Sequence, residues 1–82
     1  MLLFEYFNKL ERMDQLIRFR CTGSPSEFAN KIQVSERQIY YLLGVMKDMD
    51  APIAYNKTLK TYYYASPVTL KICFEKKQTT IN

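Results

Sequence analysis

Arg37 and Gln38 are the residues of this 82-residue chain best equipped for recognition chemistry. A guanidinium offers guanine a matched pair of hydrogen bonds, and a carboxamide does the same for adenine. Catalytic chemistry has much less to work with. The chain has no histidine and only two glycines, so it lacks an imidazole base and a Gly-rich phosphate loop, and neither Cys21 nor Cys73 has an identifiable base. The cysteines also lack a CxxC spacing, which excludes a zinc finger or a histidine-bearing metal site. These absences point to a protein that is not an enzyme, with no metal, no cofactor and no evident small-molecule effector. Its thiols are expected to be reduced and cytosolic.

The net charge of +4 and pI near 9.1 suit a polyanionic partner. Lys9, Arg12, Arg18 and Arg20 put much of that charge in and just after the first helix, while Glu36 and Asp48 dilute it further along. The opening Met1-Leu2-Leu3-Phe4 is interrupted by Glu5 and Lys9 before a signal core or a membrane span is complete, so no membrane partner is expected.

The elements that must position these side chains follow from spacing and caps. Leu3, Tyr6, Phe7, Leu10, Met13 and Ile17 recur at steps of three and four and predict a first amphipathic helix, with Gly23 barring any continuation. Ser24-Pro25-Ser26-Glu27 combines an N-cap, a first-turn proline and a capping glutamate, so a second helix starts there with Phe28, Ala29 and Ile32 inward. Ser35-Glu36-Arg37-Gln38 caps a third helix reaching about Met49, with Ile39, Leu42, Leu43 and Met46 buried and Arg37, Tyr41, Gly44 and Asp48 opposite. Pro52 lies beyond its end. Ile53-Ala54-Tyr55 and Lys60-Thr61-Tyr62-Tyr63-Tyr64 predict a hairpin with lysines on both sides of its tip.

Residues 68–75 alternate apolar and mostly polar side chains and predict one further, half-buried strand. Residues 1–76 thus form one α+β domain, and residues 77–82 are expected to fray. In the tyrosine run, alternation sets Tyr62 and Tyr64 on one face, which favours core packing over a base-stacking platform. Glu5, Glu11, Asp14 and Glu27 read as solvated carboxylates, and Met13, Met46 and Met49 as core.

The order of helix, helix, tight turn, helix and basic hairpin resembles the winged helix-turn-helix domains at the N-termini of bacterial sugar-operon and biotin-type repressors. The likeness runs through residues 24–43, then Ala51-Pro52-Ile53-Ala54-Tyr55 and Tyr62-Tyr63-Tyr64, spread over about half the chain. Ala29 stands where two helices approach, Val34 plugs the turn, Ser35 caps, and Ile39 and Leu42 anchor the last helix. Where the family usually has glycine, this chain has Gln33, Asp50 and, at the hairpin tip, Asn56 or a neighbour. A left-handed glutamine at position 33 would cost roughly 1 kcal/mol.

The resemblance implies a three-helix fold with a hairpin wing, the extra strand lying outside the family pattern. It also implies specific double-stranded DNA binding by a cytoplasmic bacterial transcription regulator. Arg37, Gln38 and Tyr41 would then meet base edges, and Ser24, Ser26, Tyr40, Lys57 and Lys60 would meet phosphates. Homodimerisation is expected through the first helix, where Leu2, Phe4 and Leu16 lie off the main stripe, or through the last strand. The rival reading is a winged-helix protein-interaction or assembly adaptor, which would carry an apolar patch in place of a positive face.

Overall fold

The computed structural model of the protein describes residues 2–71 together with Phe74. In chain order these form α1 (Leu3–Arg18), α2 (Pro25–Ile32), α3 (Glu36–Asp48), β1 (Ile53–Asn56) and β2 (Thr61–Tyr64). The result is a small α+β arrangement of three helices and a two-stranded antiparallel hairpin. None of the described helices is long and apolar enough to cross a membrane.

The caps account for where each helix starts. The Ser24 Oγ accepts the Glu27 N–H at 3.3 Å and Glu27 Oε1 accepts the Ser24 N–H at 2.8 Å, a reciprocal closure with Pro25 in the first turn. Ser35 Oγ accepts the Gln38 N–H at 3.0 Å and opens α3. The three helices also end alike. Arg20, Gln33 and Asp50 each take a left-handed conformation at φ 55°, 65° and 69°. Behind them the N–H groups of Cys21, Val34 and Ala51 reach back to the carbonyls of Leu16, Ala29 and Met46 at 3.0 Å. This is the Schellman closure, made three times without glycine at the left-handed residue. Val34 and Ala51, next in the chain, pack onto the core and help offset the strain.

The first helix therefore stops at Arg18 and not at Gly23. Gly23, at φ 75°, instead lets the chain turn tightly into α2, since a Cβ there would stand 2.8 Å from the Glu27 Cβ.

The core consists of Leu10, Met13 and Ile17 from α1, Phe28, Ala29 and Ile32 from α2, Ile39, Leu42, Leu43 and Met46 from α3, and Tyr62 from β2. The inward faces expected of α2 and α3 are thus the buried ones. The α1 stripe is buried only from Leu10 onward: Leu3 is exposed and Tyr6 and Phe7 are half-buried. Leu16 packs on the core, leaving Leu2 and Phe4 as the exposed apolar residues off the stripe. Met49, beyond the last turn of α3, is exposed and not core.

In the hairpin, Ile53 pairs with Tyr64, Ala54 with Tyr63, Tyr55 with Tyr62 and Asn56 with Thr61. Tyr62 packs against Phe28 and Tyr55, with ring centroids 5.7 and 4.7 Å away. Tyr64 lies half-buried against the same core and Tyr63 points to the other face, where the Arg20 guanidinium sits 5.1 Å over its ring. The tyrosine run is thus largely packing.

Two polar knots tie the hairpin down. Thr22, fully buried in the loop before α2, accepts the Tyr62 N–H at 2.9 Å, and its own N–H reaches Thr61 Oγ1 at 3.3 Å. Asp14 is 3 % exposed rather than solvated: its carboxylate accepts the Tyr64 hydroxyl at 2.7 Å, Arg18 Nε at 3.0 Å and Thr69 Oγ1 at 3.4 Å.

The further strand expected over residues 68–75 does not form at residues 68–71. Thr22 holds the outer edge of β2 at Tyr62, where a third strand would pair, and the chain turns instead to bring Thr69 to Asp14 and Leu70 to the core. Residues 72, 73 and 75–82, with the expected domain limit at 76 and the tail, lie outside the described residues.

Candidate nucleic-acid interface

Burial of Ile39, Leu42, Leu43 and Met46 fixes the rotation of α3 and leaves its opposite side to solvent. Arg37 is exposed in the first turn of that open side, and Tyr41 follows one turn later at 58 % exposure. Gly44 lies between them and Asp48, with no atom within 4 Å of where a Cβ would stand, so the strip is open at that position.

Gln38 is not brought onto the strip. At about 100° per residue it sits a quarter-turn from Arg37, toward the side of Leu42 and Val45, and is half-buried.

The two neighbouring tyrosines diverge. Tyr40 faces the hairpin, close enough to Tyr62 to act on it electrostatically together with Tyr55 and Glu36. Burial is the main cause that pushes the Tyr62 phenol up to about 12, and these neighbours add to it. Tyr41 faces α1, where it lines an apolar groove of about 520 Å³ with Leu3, Tyr6, Phe7, Val45 and Met49.

The expected phosphate contacts also differ from one another. Ser26 is exposed on the first turn of α2. Ser24 is half-buried, and the Glu27 carboxylate already holds its N–H. That hydrogen bond, then the one to the Ser24 side chain, keeps the Glu27 carboxyl below the usual carboxylate range, with Lys31 and Lys60 adding positive charge nearby. A carboxylate thus occupies the helix end that an incoming phosphate would seek.

Lys57 and Lys60 are exposed in the connection between β1 and β2, where Asn56 Oδ1 accepts the Leu59 N–H at 2.8 Å. The left-handed residue of this turn is Lys60, at φ 53°, and not Asn56. Lys60 adds to the positive charge acting on Glu27 and so couples hairpin and α2 electrostatically, while Lys57 lies at the start of the connection.

A basic group that spacing did not single out lies between α1 and α2. Lys9 Nζ donates to the Ile32 carbonyl at 3.3 Å, Arg12 Nε to the Lys31 carbonyl at 3.4 Å, and Lys31 Nζ to the Cys21 carbonyl at 2.7 Å. The step of three from Lys9 to Arg12 was the available sign that both share one helix face.

No group of three or more His, Cys, Asp or Glu among the described residues is arranged to hold a metal ion. No protein family, curated protein or solved structure matches this chain.

Proposed function

We propose that this chain is a winged helix-turn-helix domain that binds double-stranded DNA with sequence preference and serves in transcriptional regulation. In this reading α3 enters the major groove and the hairpin between β1 and β2 is the wing. The observation that carries it is the exposed outer strip of α3, headed by Arg37, on a helix whose opposite side of Ile39, Leu42, Leu43 and Met46 is buried and which is followed at once by a lysine-tipped hairpin.

Arg37 near the N-terminus of the helix is where such domains meet base edges, and its forked donors suit guanine O6 and N7. Tyr41, one turn on, would reach a neighbouring base or sugar, and Lys57 with Ser26 would flank them on phosphates. Gln38 contributes less to this reading, since it is turned off the strip.

A second reading is favoured by the apolar groove between α1 and α3. Leu3 at 67 %, Met49 at 52 % and Tyr41 at 58 % exposure line it, which would suit the apolar face of a partner helix. Within the DNA reading the same groove and the exposed Leu2 and Phe4 would serve a second copy of the chain, doubling a short recognition site.

Selection from random duplexes discriminates between the two. A DNA reader enriches a short motif, symmetric if the chain pairs with itself, and the enriched duplex outcompetes a scrambled one. Recovery of no motif, with equal retention of all duplexes, would leave the docking module as the function.

A further inference from the structure

We infer that the cleft between α1 and α2, ringed by Lys9, Arg12 and Lys31, is a second phosphate site that grips the DNA backbone beside the base pairs met by α3. This rests on the DNA-binding reading and extends its footprint.

The cleft encloses about 630 Å³ and is also lined by Glu5, Asn8 and Gln33. Lys9 and Arg12 converge on the last carbonyls of α2, while Lys31, also in the lining, sends its Nζ to the Cys21 carbonyl in the loop before α2. Attraction to a helix C-terminus explains part of this convergence, but that end carries only about half a negative charge. The two full positive charges of Lys9 and Arg12 exceed it severalfold. Among the described residues none of the three makes an ion pair, the only one there being Arg18 with Asp14. The single carboxylate in the cleft lining, Glu5, has one oxygen committed to the Leu2 N–H at 3.0 Å. Lys31 also acts on Glu27 from a distance, which leaves Lys9 and Arg12 as the least compensated pair.

Each of these groups uses one N–H on a carbonyl and retains others that can point outward. The carbonyls thus hold the cations in place and leave donors for a further acceptor. The Asn8 amide adds a neutral donor, so the set suits the two non-bridging oxygens of a phosphodiester.

Position connects the cleft to α3. Gln33 lines it and Arg37 follows four residues later, so the two α-carbons are at most about 14 Å apart along the chain. One duplex turn is about 34 Å long, so a single duplex can meet both. The salt-dependent grip would come from the cleft and the hairpin, and base preference from α3.

The test uses the duplex enriched by selection, once trimmed to its core and once extended by about ten base pairs on each side. The full chain and its Lys9→Ala/Arg12→Ala variant are titrated against both at two salt concentrations, with thermal melts to verify that both fold. On the extended duplex the variant should bind more weakly and its slope of log affinity against log salt should fall by about one, for the one phosphodiester released, while the trimmed duplex is bound alike. Equal binding of the extended duplex would overturn the site, and loss of affinity by Arg37→Ala in that same series would leave the DNA reading standing. Binding of neither duplex by the parent would overturn both. Inorganic phosphate forms the last arm: saturable shifts of Lys9 and Arg12 signals that extended duplex does not displace would assign the cleft to a free anion and overturn the backbone role.

Discussion

Ile39→Asp is expected to leave the chain without a cooperative folded state at 25 °C. Ile39 is fully buried, in one core cluster with Phe28 and Ile32 of α2 and Leu42 and Leu43 of α3. An aspartate there has no buried cation to meet, since Arg18 is already paired with Asp14. Burying an unpaired carboxylate costs several kcal/mol even after the group takes up a proton. Domains hold only about 0.05–0.15 kcal/mol of stability per residue, so a chain of this length has roughly 4–12 kcal/mol in all. Ile39→Val keeps the shape and should cost about 0.5–1.5 kcal/mol. Circular dichroism melts of the three proteins check this, and an Ile39→Asp transition close to that of the parent would mean that α3 is rotated wrongly.

The second large effect concerns the knot at Asp14. Asp14→Ala is expected to cost about 2–3 kcal/mol, because it strands a half-buried phenol and removes hydrogen bonds to a charged acceptor. The loss stays below the 3–5 kcal/mol typical of breaking a fully buried pair, since the Arg18 side chain is 34 % exposed and can turn to water. Tyr64→Phe should lose a similar share, and the double variant should cost less than the sum of the two, which a double-mutant cycle by urea unfolding measures.

The same knot sets the response to alkali. Burial first, and then the Asp14 carboxylate, hold the Tyr64 phenol above its ordinary range, and Tyr62 is raised to about 12. The folded chain therefore keeps protons that the unfolded chain releases near pH 10, so stability is intact below about pH 10 and falls as pH rises beyond it. Tyr64→Phe should fall less steeply than the parent. A parent whose stability is flat from pH 9 to 11.5 would contradict these assignments.

Much of the fold was legible because its determinants are local. Ser24, Pro25 and Glu27, or Ser35 and Gln38, lie within three or four residues of one another, and the capping hydrogen bonds they make require nothing distant. Likewise the period of Ile39, Leu42, Leu43 and Met46 fixed the buried side of α3. The missed features join distant positions. Asp14 meets Tyr64 across 50 residues and Thr69 across 55, and nothing near Asp14 marks it as anything but another helix-surface acid. The alternation from residue 68 onward signalled a strand, but at residues 68–71 the distant contacts of Thr69 with Asp14 and of Leu70 with the core place the chain instead. At the candidate interface the order of residues along α3 was weighed more heavily than their angles. Gln38 and Arg37 are adjacent in the chain yet about 100° apart around the helix, so only Arg37 heads the open strip.

In the proposed DNA-binding function Arg37 reads a base while the hairpin lysines hold the backbone, and the two roles respond differently to sequence and salt. The measurement is a titration of parent, Arg37→Ala and Lys57→Ala against the selected duplex and a scrambled one, each at two salt concentrations. Arg37→Ala should lose on the order of 1–3 kcal/mol on the selected duplex and much less on the scrambled one, because a paired guanine contact is removed. Lys57→Ala should weaken both duplexes alike and lower the salt slope by about one, because one fewer counterion is released. Equal losses by the two variants on both duplexes would contradict base reading by α3.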